Sequence, residues 1–76
     1  MNNKRRAKLQ HALITLGSIR DVVEQVRDEE QECLDNFPEN LWNSDRYERM
    51  ENAIDKLEDA ISDIENAESY IQEASE

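Results

Sequence analysis

Tyr47-Glu-Arg-Met-Glu-Asn-Ala-Ile-Asp-Lys-Leu-Glu-Asp-Ala-Ile-Ser-Asp-Ile-Glu-Asn-Ala-Glu-Ser-Tyr-Ile-Gln-Glu-Ala74 decides the fold of this chain. Within it Tyr47, Met50, Ile54, Leu57, Ile61, Ile64 and Ile71 recur at alternating steps of three and four, broken only by Glu68. Such spacing draws one apolar line along an α-helix, a heptad seam for packing on another helix. A narrower line runs beside it. The unit Glu51-Asn-Ala-Ile returns as Glu58-Asp-Ala-Ile and Glu65-Asn-Ala-Glu, which sets Ala53, Ala60, Ala67 and Ala74 seven residues apart.

Upstream, residues from about Lys4 to Asp35 read as a first helix. Its apolar positions fit a second heptad, Leu9, Ala12, Leu16, Ile19, Val23, Val26, Glu30, Cys33 and Phe37, with Leu13, Val22 and Leu34 widening the face. A face wider than one helix can cover implies further partners. Phe37-Pro38 stops this helix, because the residue before proline disfavours helical backbone and Pro38 has no N–H to donate. The turn spans 36–43. Pro38 to Trp42 is predicted to form a single helical turn, with Leu41 and Trp42 folded over the hairpin end. Asn43 or Ser44 then caps a second helix running to about Ala74, with Asp45 and Glu48 in its first turn, where negative charge suits the helix dipole.

Folding the chain about residue 40 pairs residues whose numbers sum to 80. Leu9 then meets Ile71, Leu16 meets Ile64, Ile19 meets Ile61, Val23 meets Leu57, Val26 meets Ile54 and Cys33 meets Tyr47. Two polar defects fall in this seam. Ala12 faces Glu68, with Lys8 or His11 in reach, and Glu30 faces Met50, with Arg27 or Arg46 in reach; polar seam positions commonly fix register. The expected architecture is all-α, a single domain over 1–76: an antiparallel coiled-coil hairpin of helices 4–35 and 44–74. Two hairpins are expected to dimerise into a four-helix bundle through Leu13, Val22 and Leu34 and the stripe Ala53, Ala60 and Ala67, because a lone hairpin of this size buries little. A swapped or open dimer satisfies the same pattern.

The net charge of −10 is unevenly spread. Residues 1–20 hold five bases and no acid, +5; residues 57–76 hold seven acids and no base, −7; residues 21–56 hold twelve acids against four bases, −8. The hairpin lays the basic start along the acidic end, so the uncompensated charge gathers near the turn. Glu24, Asp28, Glu32, Asp35, Glu39, Glu48 and Asp55 with Leu41 and Trp42 are therefore the expected partner-binding residues, an aromatic anchor rimmed by charge. Trp42 has a second reading, as a plug for the bundle end. The partner implied is a protein with a basic surface, and the acid-rich surface suits either simple solvation or mimicry of a DNA backbone. Direct nucleic-acid binding is not expected from a chain that repels phosphate.

No catalytic signature stands out. The single histidine, His11, lacks the companions a zinc site needs, and Cys33 has no histidine neighbour in the seam to activate it. No Glu-x-x-His pair of the di-iron bundles occurs, so no cofactor and no metal are expected, and the chain reads as non-enzymatic. It lacks an apolar run long enough for a membrane span. One cysteine allows no internal disulfide, which fits a reducing, cytoplasmic setting.

The phrase Glu29-Glu-Gln-Glu-x-Leu-Asp-Asn-x-Pro-Glu-Asn-Leu, followed by Ser44-Asp-Arg-Tyr-Glu-Arg-Met-Glu-x-Ala-Ile-Asp-x-Leu-Glu-x-Ala-Ile, resembles short acidic helical proteins encoded by phages and mobile elements of Gram-positive bacteria. The resemblance covers roughly half the chain, and Asp35-Asn-Phe-Pro-Glu-Asn-Leu is its more specific part. It implies a cytoplasmic protein of an infected or lysogenic host that binds and blocks a host protein such as a CRISPR or other defence nuclease. The alternative is a structural or assembly coiled coil that acts through its own oligomer.

Overall fold

The computed structural model describes residues 1–76. Two helices, α1 (Asn3–Asp35) and α2 (Asp45–Ser75), are joined by a link holding one 3-10 turn (Glu39–Leu41). They fold back on each other as an antiparallel hairpin measuring 59 × 15 × 13 Å. Each boundary has a local cause. The Asn2 side-chain oxygen accepts the Arg5 N–H at 2.8 Å and so caps α1, starting the helix at Asn3, one residue before the expected Lys4. At its far end Asn36 donates both its backbone and its side-chain N–H to the Glu32 carbonyl, and Pro38 prevents continuation. The predicted helical turn is the 3-10 turn, closed by the Leu41 N–H donating to the Pro38 carbonyl at 2.9 Å. Ser44, one of the two predicted caps, starts α2 by accepting the Tyr47 N–H at 3.2 Å, with Asp45 and Glu48 in the first turn.

The seam of α2 is the one its heptads predict. Tyr47, Met50, Ile54, Leu57, Ile61, Ile64, Glu68 and Ile71 are all covered at least in part, and Ser75 extends the line. Ile54 and Ile61, at 4% and 6% exposed, are the deepest apolar residues in the chain.

The seam of α1 differs from the predicted one. Leu9, Leu16, Val23, Glu30 and Phe37 face α2 as expected, but the alternate positions are Leu13, Arg20, Arg27 and Leu34, one residue later than Ala12, Ile19, Val26 and Cys33. One residue is about 100° of helix rotation, so α1 is turned by part of a turn. Ile19, Val22 and Val26 are left outside, 47%, 59% and 44% exposed, and Cys33 is exposed as well. Leu13 and Leu34, expected on the outer dimer face, belong instead to the inner seam.

The reason lies at Glu68. A carboxylate in a seam is costly without a cation, and Arg20 Nη1 donates to Glu68 Oε1 at 2.7 Å. Arg20 reaches Glu68 from a seam position, with its stem along the helix contact and its head also 3.7 Å from Glu24. The expected partners, Lys8 and His11, are exposed. Arg27, expected to relieve Glu30, is drawn to Asp28 at 3.0 Å.

Register shifts with rotation. Phe37 and Tyr47 rings lie 5.5 Å apart, Arg20 meets Glu68, and the Arg6 Nε donates to the Ser75 carbonyl at 3.0 Å. The paired numbers sum to 84, 88 and 81, all above the predicted 80. The two seams come into step at 84, with Val23 level with Ile61 and Leu16 level with Glu68. The helices are thus offset by about one helical turn from the predicted pairing.

Candidate interaction surfaces

Rotation of α1 gives the hairpin two unlike sides. Ala12, Ile19, Val26 and Cys33 each precede a seam residue of α1, and Arg46, Ala53, Ala60, Ala67 and Ala74 each precede a seam residue of α2. Antiparallel helices are related by a two-fold axis perpendicular to their common plane, so equivalent positions fall on the same side. Residues that follow the seam fall on the other: Gln10, Gly17, Glu24 and Gln31 of α1 with Glu51, Glu58, Glu65 and Gln72 of α2. Two shallow grooves show this division. One is lined by Cys33 and Arg46 with Phe37 and Met50, the other by Gln31 with Glu51 and Glu58.

The first side is apolar along its middle. Ile19, Val22 and Val26 run along α1 beside the alanines of α2, and Tyr70, 71% exposed, stands at the outer edge. Its charges are unexpected for so acidic a chain. Arg5, Lys8, Arg46, Arg49 and Lys56 are set on this side against Glu29 and Asp63 only, five cations to two acids, a balance of +3. The seam holds Arg6, Arg20 and Arg27 against Glu30 and Glu68, +1. The other surfaces and the turn hold the remaining fifteen acids with Lys4, −14, and these three groups make up the net −10.

The expected partner-binding residues lie on that acidic remainder. Asp28, Glu32, Asp35, Glu39, Glu48 and Asp55 are exposed, and Glu24 is half-covered beside Arg20. Asp21, Glu24, Asp28 and Glu32 line one continuous shallow acidic groove on the outside of α1. The aromatic tip combines both readings of Trp42. Its indole Nε1–H donates to the Phe37 carbonyl at 3.0 Å and its ring stands 6.2 Å from that of Tyr47, yet 47% of the residue is exposed, as is 45% of Leu41. Of the expected dimer residues, Val22, Ala53, Ala60 and Ala67 lie on the apolar side. Ile19, Val26 and Cys33, which the heptad spacing predicts in the seam, join them there. Their signal was present, since the apolar face of α1 is wider than one seam, but apolarity alone could not say which half would turn inward.

No group of three His, Cys, Asp or Glu side chains is disposed to hold a metal ion, and no helix is long and apolar enough to cross a membrane. Fold and surfaces together define an all-helical antiparallel hairpin with one apolar and one acidic side. No protein-family model, no curated protein and no solved structure matches the chain.

Proposed function

We propose that this chain is a non-enzymatic protein-interaction module: two hairpins associate through their apolar sides into an antiparallel four-helix bundle, and the acidic surfaces left outside bind a protein with a basic surface. The observation that carries the reading is the segregation of charge, +3 on the apolar side against −14 on the remaining surfaces and turn. A molecule built this way covers Ile19, Val22 and Val26 by self-association and presents a nearly uniform negative field outward, which attracts cationic surfaces from a distance and speeds encounter. The likeness of the turn phrase to short phage proteins supports a cytoplasmic host protein as the target. A nuclease that grips a phosphate backbone has a basic groove of the required kind, so blocking by DNA mimicry follows from the same charge.

The apolar side also favours a second reading, a structural coiled coil that works through its own oligomer and needs no outside partner. Two measurements separate the readings. Light scattering at micromolar concentration should give about twice the 8.9 kDa chain mass. Capture from bacterial lysate should then recover a stoichiometric partner that the triple reversal Glu32→Lys, Asp35→Lys, Glu39→Lys fails to hold. A dimer that recovers nothing in repeated captures is the structural protein.

A further inference from the structure

The apolar side has one large edge and one small edge, and that asymmetry bears on how a second copy seats itself. On α1 the residues are Ile19, Val22 and Val26; on α2 they are Ala53, Ala60 and Ala67. Two symmetric arrangements bring two such sides together. A two-fold axis across the hairpin lays α1 on the second copy's α1 and α2 on its α2, with the turns at opposite ends. Branched side chains then press on branched side chains along one edge, while alanines face alanines along the other. The first edge is overfilled and the second leaves a gap, and both faults are costly in a close-packed interface.

A two-fold axis along the length of the hairpin lays α1 on the second copy's α2, with both turns at the same end. Large residues now meet small ones. With the register of this hairpin, Ile19 is level with residue 65 and Val26 with residue 58. Each therefore lies within two residues of an alanine of the second copy, Ala67 and Ala60, and Cys33 is likewise close to Ala53. One cation also finds a counter-charge, since Lys56 is level with residue 28 and so comes beside Glu29 of the second copy. All four helices run antiparallel to their neighbours, the arrangement natural to hairpins joined by short links. The area suffices: a side 59 Å long and 15 Å wide offers on the order of the 800 Å² that each partner of a standard interface contributes.

We propose that a second copy of this chain docks on the apolar side with its turn at the same end, Ile19 and Val26 of each copy seated against Ala67 and Ala60 of the other. This arrangement rests on the dimer reading above, and its test separates the two. Asn40, exposed in the turn, is changed to Cys in a Cys33→Ser background, nitroxide-labelled, and the label-to-label distance is measured by pulsed electron resonance on the full chain, its mass taken by light scattering in the same buffer. Packed helices lie about 8 to 10 Å apart, so labels at the same end should be separated by about 20 to 30 Å once their own reach is included. A dimer whose labels lie farther apart, toward the 59 Å length of the hairpin, overturns the same-end arrangement and leaves the dimer standing. A monomeric mass overturns both.

Discussion

The two sides of this hairpin are made from the same two helices, two residues apart in the heptad on either edge of the seam, yet they have opposite chemistry. Residues preceding the seam are Ala, Ile, Val and Cys, with Arg46 beside the turn; those following it are Gln, Gly and Glu, four glutamates among the eight positions. Two steps, about 200° around each helix, separate an apolar flank from an acidic one. Net charge conceals this difference, because −10 averages a cationic side with a strongly acidic remainder. Amphipathic helices usually set one apolar face against one polar face. Here each helix has an inner seam, an apolar flank and an acidic flank, and the pairing aligns like flanks with like.

The contrast can be broken most completely at the seam that holds the sides apart. Ile61→Asp places a charge at a position 6% exposed and should cost several kcal/mol, enough to unfold a chain of this size. Far-UV circular dichroism during heating checks this, and a wild-type melt would refute the seam.

A substitution on each side sharpens the comparison. Val26→Asp on the apolar side should abolish association, halving the mass and making the melting temperature independent of concentration. Glu58→Lys on the acidic side should leave mass and stability within about 0.5 kcal/mol of wild type. If both behaved alike, the division into sides would carry no energetic meaning.

The ion pair that sets the rotation should give a smaller effect. Arg20→Leu strands Glu68, 19% exposed, and should cost about 1 to 3 kcal/mol, whereas the double variant Arg20→Leu, Glu68→Leu should recover most of the loss by making the seam continuous. A double-mutant cycle by urea unfolding reads the coupling directly, and additive losses would show that the pair does not orient α1. Trp42→Ala removes one hydrogen bond and a ring contact from a half-exposed tip, and should cost about 1 kcal/mol while leaving the mass unchanged. The smallest effect, and the one gain, is expected at Gly17. A Cβ built there has nothing within 4 Å, so Gly17→Ala should stabilise α1 by up to about 1 kcal/mol in the same unfolding measurement.

Much of the architecture was legible without coordinates. Heptads from Tyr47 to Ile71 fixed the inner line of α2, Phe37-Pro38 fixed the break, and Ser44 with Asp45 and Glu48 fixed the restart, because each depends on interactions within a few residues of itself. The alanine line and the acidic positions of both helices were likewise readable from spacing. The rotation of α1 was not. Leu9, Leu16, Val23 and Glu30 serve equally well in two overlapping heptads, one completed by Ala12, Ile19, Val26 and Cys33 and the other by Leu13, Arg20, Arg27 and Leu34, and apolarity favours the first. Tertiary structure took the second because Glu68, 48 positions away from Arg20 in sequence, needs a cation within the helix contact. That choice displaced Ile19 and Val26 to the outside and moved the register by about a turn. Five of the nine cations of this acidic chain lie on the same side as those displaced residues. Local patterns determined which helices form, and a single long-range charge pair decided which of their faces meet.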